Sequence, residues 1–373
     1  MVIQANVSER IKRIRERYQT DIPSISIERA QYYTEKWFET EDSELPKNIR
    51  VALAMKHVYE NMTYYVDPDD GIAGHWTEFF SGVPIDIEKG IFNKVLKTEL
   101  KWSTLWKFRI KALIKSFAFL IKRHQIGQFF HNQKISRMEN KQPMNLKIKT
   151  MGKREVNAFE IEKKERKILL KDLLPQWEGK SIVNLLEQQI PESGFLSGDM
   201  LEFSKSLPAN TSRQTTMISM CSTVASIQGH LILDYETIIK KGLLALKKEI
   251  QNKVDLENEN LNKEEKYFLK SIKIAIEGVI IYAQNLVSAL EQKLNHENDE
   301  ERKKFLEKMI NDCKRVPLHP AETFSQAVQS AWTVKTAVEI AHPINLHCFG
   351  RMDQIFYPYY QNDIEKGIIS RYE

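Results

Sequence analysis

Cysteine is scarce in this 373-residue chain, and its three copies, Cys221, Cys313 and Cys348, share no CxxC spacing. This pattern excludes a disulfide framework and a cysteine-based zinc site, and it favours a reducing compartment. The opening residues, MVIQANVSERIKRIRERYQ, lack the apolar segment of a secretory signal peptide. No uncharged apolar run approaches the roughly 18 residues that a membrane span needs. We therefore expect a cytoplasmic protein.

Acidic residues are nearly missing from one stretch of the chain. Residues 89–154 contain 17 Lys or Arg but only Glu99 and Glu139 as acids. Since the whole chain carries +5 and this stretch +15, the remainder carries −10. Such a concentration of positive charge is typical of a surface that meets nucleic acid, anionic lipid or an acidic protein.

Hydrophobic periodicity predicts a mainly helical chain with few strands. Helices are expected over residues 7–19, over residues 24–38 with Ser26 as N-cap, and over residues 47–63 with Val51 on the buried face. One continuous helix is expected over residues 235–253. The longest apolar stripe runs over residues 268–290.

Four segments, in order, resemble the glycyl radical enzymes of the pyruvate formate-lyase and glycerol dehydratase type. They are residues 10–50 with the GIAGHW loop that follows, ILLKDLLPQWEG at 168–179, GHLILDYETIIKKG at 229–242, and the stretch 313–370 that contains GRMDQIFYPYY. The last is the most specific. We interpret residues 1–373 as a partial domain of this family, with residues 85–160 as a divergent basic segment inside it.

The resemblance implies a fold and a chemistry. The fold would be the N-terminal part of a ten-stranded α/β barrel. In the family, a radical S-adenosylmethionine activating enzyme installs a glycyl radical, which oxidises a cysteine that attacks the substrate. The C-V-E and R-V-A-G-Y-S patterns of those two residues do not occur here. We therefore expect no catalytic residue and no bound cofactor in this chain. The expected partners are a complementing C-terminal chain and a second copy in a homodimer.

Three residues are the candidate substrate contacts that the resemblance implies. His230 matches a pocket histidine that donates a proton to a leaving hydroxyl, although a structural role beside Gly229 stays open. Asn345 and Leu346 stand where the glycerol dehydratases carry His and Ser. Because Leu346 cannot hydrogen-bond a hydroxyl, a less polar or larger substrate than glycerol is indicated.

Other residues of these motifs have structural explanations. Asp234 is expected to cap the helix that begins at Tyr235, and Arg351 is expected to pair with Asp353. We expect Tyr357, Pro358 and Tyr360 in the core. His75 and Trp76, after the GIAG loop, are expected in surface packing.

The basic stretch keeps two interpretations. It is either a solvated insertion on the enzyme surface, or the binding surface of a non-catalytic homologue. In the second case, residues 89–154 contact an acidic partner or a membrane surface; nucleic acid is the weaker alternative, because an aromatic and basic composition is a loose signal.

Overall fold

The structure is a computed structural model that describes residues 8–67, 69–90, 93, 158–182, 184–185, 232–257, 259–343 and 348–370. Most of these residues are helical, which confirms the predicted mainly helical chain with few strands. The basic stretch at 89–154 falls almost entirely outside the described residues.

The N-terminal part alternates helices with one short strand. Helix α1 spans Glu9–Thr20, strand β1 spans Ser24–Ser26, helix α2 spans Glu28–Glu39 and helix α3 spans Lys47–Asn61. The prediction that Ser26 caps a helix is wrong. Ser26 pairs within the sheet, and its hydroxyl donates to Glu78 Oε2 at 2.7 Å. Because strand pairing occupies this backbone, the helix begins two residues later.

Strand β2, Gly82–Pro84, runs parallel to β1, with Ile25 opposite Val83. An isolated bridge adds Glu160 beside Ser24, on the other side of β1. Among the described residues, the two-stranded sheet of β1 and β2 is the largest sheet. The ten-stranded barrel therefore stays a prediction.

The middle of the described chain carries helix α4, Lys163–Ile168, a π-helical turn at Leu169–Leu173, and helix α5, Leu174–Gln176. The indole of Trp177 ends this segment inside the core, where its Nε1 donates to Thr34 Oγ1 at 2.9 Å. Pro175 lies in the first turn of α5, where its missing N–H costs no helical hydrogen bond.

The single helix predicted over 235–253 is two helices, α6 at Tyr235–Lys241 and α7 at Leu243–Glu257. Gly242 separates them with a φ of +77°. The turn lets the next amide, Leu243 N–H, donate to the Pro317 carbonyl at 2.8 Å. A contact distant in sequence thus overrides the local helical periodicity.

Four helices complete the described chain after the longest one. Helix α8 spans Lys263–His296 and begins at a capping box formed by Asn262 and Glu265. Helices α9, α10, α11 and α12 follow at Glu300–Arg315, Phe324–Ala341, Met352–Ile355 and Tyr357–Glu365. By length and composition α8 could cross a membrane. Core helices pass the same test, and α8 packs along α3 and α9.

The main core lies between α2, α3, α8 and the end of α10. Its fully buried members include Val58, Leu169, Tyr282, Leu290 and Ile340. Val51 was predicted on this buried face but is 39% exposed, because it lines an open groove between α3 and α8.

Arg29 joins the N-terminal helices to the end of α10. Its guanidinium, 3% exposed, donates to the carbonyls of Ile340 at 2.5 Å and Ala341 at 2.8 Å, and it binds Glu88 through both Oε atoms at 2.6 and 2.9 Å. The negative charge of Glu88 compensates the positive charge of this buried guanidinium. Burying the guanidinium without such a partner would destabilise the fold by roughly several kcal/mol.

Candidate functional site

The predicted substrate contacts, His230, Asn345 and Leu346, lie outside the described residues, as does Cys221. Their described neighbours do meet. Ile232 and Cys348 form a parallel bridge, which brings the described ends of the two segments side by side. Leu233, next to Ile232, and Phe349, next to Cys348, therefore lie at the same place in the fold.

Asp234 caps helix α6, as predicted. Its Oδ1 accepts a hydrogen bond from the Thr237 amide at 3.1 Å. Hydrogen bonds from Thr237 lower the pKa of this carboxyl. The cap fixes where α6 begins, and it thereby fixes the neighbouring Tyr235.

Tyr235 packs against Phe349 with tilted rings whose centroids lie 5.2 Å apart, and Phe349 stacks in turn on Trp332 at 6.5 Å. The Tyr235 hydroxyl is buried and has no hydrogen-bond partner among the described residues. Burial raises its pKa, and the nearby charges of Glu339 and Cys348 add to this effect. A phenol in this state is neutral and available as a hydrogen-bond donor.

Lys335 and Glu339 form an ion pair one turn apart on α10, mostly shielded from solvent. The Lys335 ammonium lies 5.7 Å from the ring centroids of both Trp332 and Phe349. Glu339 Oε2 is buried, without a hydrogen-bond partner in the described part of the chain. Sequence reasoning missed this pair, although two opposite charges four residues apart inside the apolar run SAWTVKTAVEIA were a signal for it.

Helix α10 also holds the loop that follows the Asp67–Gly71 turn. Gln329 hydrogen-bonds the backbone of Ala73 in both directions at 2.9 Å, and Trp332 Nε1 donates to the Gly74 carbonyl at 3.0 Å. Gly74 has a φ of +122°, a conformation that favours glycine. The loop is therefore fixed to the same helix that carries Lys335 and Glu339.

This loop forms one wall of a cavity of about 230 Å³. His75 Nε2 lies 2.7 Å from Asp70 Oδ2, and the same carboxylate oxygen accepts the Asp67 amide at 3.1 Å. The expectation of surface packing holds for Trp76, which is 42% exposed. His75 is more shielded, lies edge-on to Tyr65 at 4.9 Å, and lines the cavity.

The GRMDQIFYPYY motif has a structural role at its start. Arg351 pairs with Asp353 at 3.2 Å, as predicted, but both side chains are well exposed, so the pair contributes little to stability. The core prediction is wrong for Tyr357 and Pro358, which are exposed. The buried aromatic residue is instead Phe356, which immediately precedes α12, and the half-buried Tyr360 of α12 lies 5.7 Å from Phe324.

The described thiols do not form a nucleophilic site. Cys313 is buried, and burial raises the pKa of its thiol, which keeps it protonated. Cys348 is exposed at the bridge. Across the described ranges, no group of three or more His, Cys, Asp or Glu residues is placed to hold a metal ion.

A family model described as pyruvate formate lyase-like matches residues 5–110 and 124–373. The chain belongs to this family. The resemblance carried by the four sequence segments is thereby confirmed at the level of the glycyl radical enzymes.

Curated relatives include the isethionate sulfite-lyase of Nitratidesulfovibrio vulgaris, 27% identical over 97% of this chain and 37% of that protein. The trans-4-hydroxy-L-proline dehydratase of Clostridioides difficile is 26% identical over 97% of this chain and 38% of that protein. A crystal structure of hydroxyproline dehydratase from Clostridioides difficile superposes with a TM-score of 0.69 and 22% identity, covering 98% of this chain and 38% of its own. The chain thus spans little more than a third of the relatives that it matches.

Proposed function

We propose that this chain is the N-terminal part of a glycyl radical lyase or dehydratase that is inactive without the rest of the domain. One observation carries the proposal. The pyruvate formate lyase-like match covers nearly the whole chain, yet the chain spans only 37% of a lyase and 38% of a dehydratase in that family. The catalytic cysteine and the radical glycine are assigned to the remaining part.

The proposal divides the chemistry between this chain and the complementing part of the domain. A radical S-adenosylmethionine activating enzyme installs the radical on the complementing part, and this chain holds no cofactor of its own. Its contribution is a wall of the substrate site, and the working assembly, with a homodimer as one form, is placed in the cytoplasm.

We assign the substrate wall to His230, Asn345 and Leu346. The parallel bridge between Ile232 and Cys348 supports this, because it joins the two segments that carry these residues. The leucine disfavours a small polyol, since an apolar side chain leaves a substrate hydroxyl unpaired. A larger or less polar substrate fits this wall better.

The test is reconstitution. The chain is co-expressed with the polypeptide encoded by the reading frame that follows its gene, and the product is activated anaerobically by the radical S-adenosylmethionine enzyme. We expect a stable complex and an organic radical in the electron paramagnetic resonance spectrum, and no radical with this chain alone. Absence of a complex would contradict the proposal.

A second candidate rests on the charge of residues 89–154, where 17 basic residues face two acidic ones. In this case the chain is a non-catalytic homologue that binds a membrane surface or an acidic protein. Its test is co-sedimentation of the full chain with phosphatidylserine-containing vesicles against neutral vesicles. Electrostatic binding weakens as salt rises, so binding that is absent, or unchanged at high salt, contradicts this candidate.

A further inference from the structure

We propose that an aromatic surface around Trp76 is where the rest of the pyruvate formate lyase-like domain docks onto this chain, an inference that rests on the proposed function. We call it the Trp76 surface and define it by Tyr18, Ile72, Trp76, Phe79 and Val83. Four of these are unusually exposed for large apolar residues: Tyr18 by 60%, Ile72 by 39%, Trp76 by 42% and Val83 by 37%.

These side chains form one surface and are not scattered. Tyr18, Ile72, Trp76 and Phe79 line the same cavity of about 230 Å³, and Val83 follows the cavity residue Gly82 in β2. A contiguous apolar patch of this kind marks an interaction site on a protein surface. Its aromatic composition is that of protein–protein interfaces, in which Trp and Tyr are enriched.

The surface is held rigidly from beneath. Trp332 donates to the Gly74 carbonyl at 3.0 Å, and the Arg17 guanidinium lies 3.7 Å from the centroid of Phe80, whose ring is itself 4.6 Å from Tyr18. These contacts fix the backbone and rings before any partner arrives. A preorganised surface loses little conformational entropy on binding, which favours a stable interface.

Among the described residues, the sheet beside this surface has an unpaired edge. In the described part of the chain β2 pairs only with β1, which in turn has Glu160 on its other side. All-parallel sheets occur almost only with both faces covered, and sheets commonly have about four to six strands. Gly82 lines the cavity and lies in β2 itself, so this edge and the aromatic patch adjoin each other.

The occupant follows from the relatives. The chain matches 37% of the isethionate sulfite-lyase and 38% of the hydroxyproline dehydratase, so nearly two thirds of each relative has no counterpart here. That remainder must pack against the counterpart of this chain to make one protein. An exposed aromatic cavity, next to a sheet edge that is unpaired among the described residues, is a surface that such packing would bury.

The experiment uses the full chain and the polypeptide encoded by the reading frame that follows its gene. Trp76→Glu and Tyr18→Glu place a charge on the Trp76 surface, and Phe268→Glu is the matched control. Phe268 is 57% exposed but lies on α8, fourteen residues before Tyr282, the α8 residue that reaches the His75 carbonyl. At about 1.5 Å of rise per helical residue, Phe268 lies roughly 20 Å along α8 from Tyr282. Circular dichroism melting of each variant verifies that it folds.

Complex formation is measured by light scattering and titration, and hydrogen exchange is compared with and without the partner. We expect Trp76→Glu and Tyr18→Glu to weaken binding at least about tenfold, which corresponds to about 1.4 kcal/mol, and Phe268→Glu to leave it unchanged. Residues 72–84 are expected to gain protection in the complex.

The other outcomes overturn the proposal in distinguishable ways. A complex that tolerates both surface variants removes the Trp76 surface but leaves the proposed function standing. If no variant and no wild-type chain forms a complex, the proposed function fails with it. If the isolated chain forms a dimer that Trp76→Glu abolishes, the occupant of the surface is a second copy of the chain. If residues 89–154 cross-link to the surface, the occupant is the basic stretch.

Discussion

Gln329 and Ala73 are joined by two hydrogen bonds across 256 residues of sequence. The Ala73 amide donates to Gln329 Oε1 and Gln329 Nε2 donates to the Ala73 carbonyl, both at 2.9 Å. Gln329 Nε2 also donates to Thr333 Oγ1 at 2.9 Å. A single buried amide thus satisfies both backbone groups of the loop residue, which fixes the loop bearing His75 and Trp76 to helix α10.

Replacing Gln329 by Leu is expected to destabilise the chain by about 2–4 kcal/mol, because it leaves the buried amide and carbonyl of Ala73 unpaired. The measurement is the free energy of unfolding from urea titration. Gln361→Leu is the control, since Gln361 is exposed and donates only to Glu365 on its own helix. Equal effects in the two variants would show that the loop is held by other contacts.

Helix α1 has no buried residue and is held to the Asp67–Gly71 turn by charge. Arg13 binds Asp69 Oδ1 at 2.6 Å and Oδ2 at 2.9 Å, and Arg17 binds Asp67 at 2.5 Å. We expect Asp69→Asn to release α1, seen as tryptic cleavage within residues 10–17 that is roughly tenfold faster. Added salt should accelerate cleavage of the wild-type chain in the same direction.

The same contact gives a pH dependence. The hydrogen bond from Arg13 lowers the pKa of Asp69, so its stabilisation is present above the unfolded-state pKa of about 3.9 and is lost as pH falls through the folded-state pKa. Cleavage should therefore also rise in acid, measured with an acid-active protease. Glu9→Gln, which removes only the exposed pair with Lys12, is the control; equal release in that variant would contradict the role of Asp69.

Glu78 is expected to make the chain less stable as pH rises. Burial, with the nearby charges of Glu28 and Glu165, raises its pKa to about 7, although Ser26 donates a hydrogen bond to Oε2 at 2.7 Å. Among the described residues Oε1 is buried without a hydrogen-bond partner. Between the unfolded-state pKa of about 4.3 and pH 7 the folded state binds more protons, so the free energy of unfolding falls with rising pH.

Glu78→Gln should remove about 1–2 kcal/mol of this fall, because solvent still reaches part of the carboxyl and screens it. The measurement is urea denaturation at a series of pH values from 4 to 8. The control Glu44→Gln lies on the exposed loop between α2 and α3. If Glu78→Gln keeps the wild-type dependence of the free energy of unfolding on pH, the group that titrates is another residue.

The sequence predicted those features that depend on local pattern. The 34-residue helix α8 follows its own apolar stripe, and the Asp234 cap follows from a carboxylate placed before a helical run. The family emerged from four short segments whose order, rather than any one residue, was specific. These are properties that the chain carries without reference to its neighbours in space.

Features that depend on distant contacts were out of reach. Ser26 lies in a strand because β2, more than fifty residues later, pairs with it, and Tyr357 is exposed while the preceding Phe356 is buried in the core. The buried Lys335–Glu339 pair and the unpartnered Tyr235 hydroxyl adjoin each other through residues far apart in sequence. No single-segment pattern encodes such a meeting.

Gly242 offers a test of how strongly a distant contact dictates local structure. Its φ is +77°, and a Cβ there would lie 2.4 Å from the Leu318 carbonyl oxygen and 2.7 Å from His319 Cα, both in the backbone. Gly179 has a similar φ of +81°, but nothing lies within 4 Å of its would-be Cβ. The two glycines therefore share the conformational requirement and differ in the space around them.

Gly179→Ala is expected to cost about 1 kcal/mol, the penalty of a left-handed conformation for a residue with a Cβ. Gly242→Ala should cost more, by about 1–3 kcal/mol, since the backbone of residues 318–319 must also move. Urea denaturation measures both. Hydrogen exchange at Leu243, which donates to Pro317, should quicken only in the second variant. If both variants lose the same free energy of unfolding, α6, α7 and the 317–319 turn can shift together to accommodate the Cβ. The break between the helices would then depend on the glycine conformation alone.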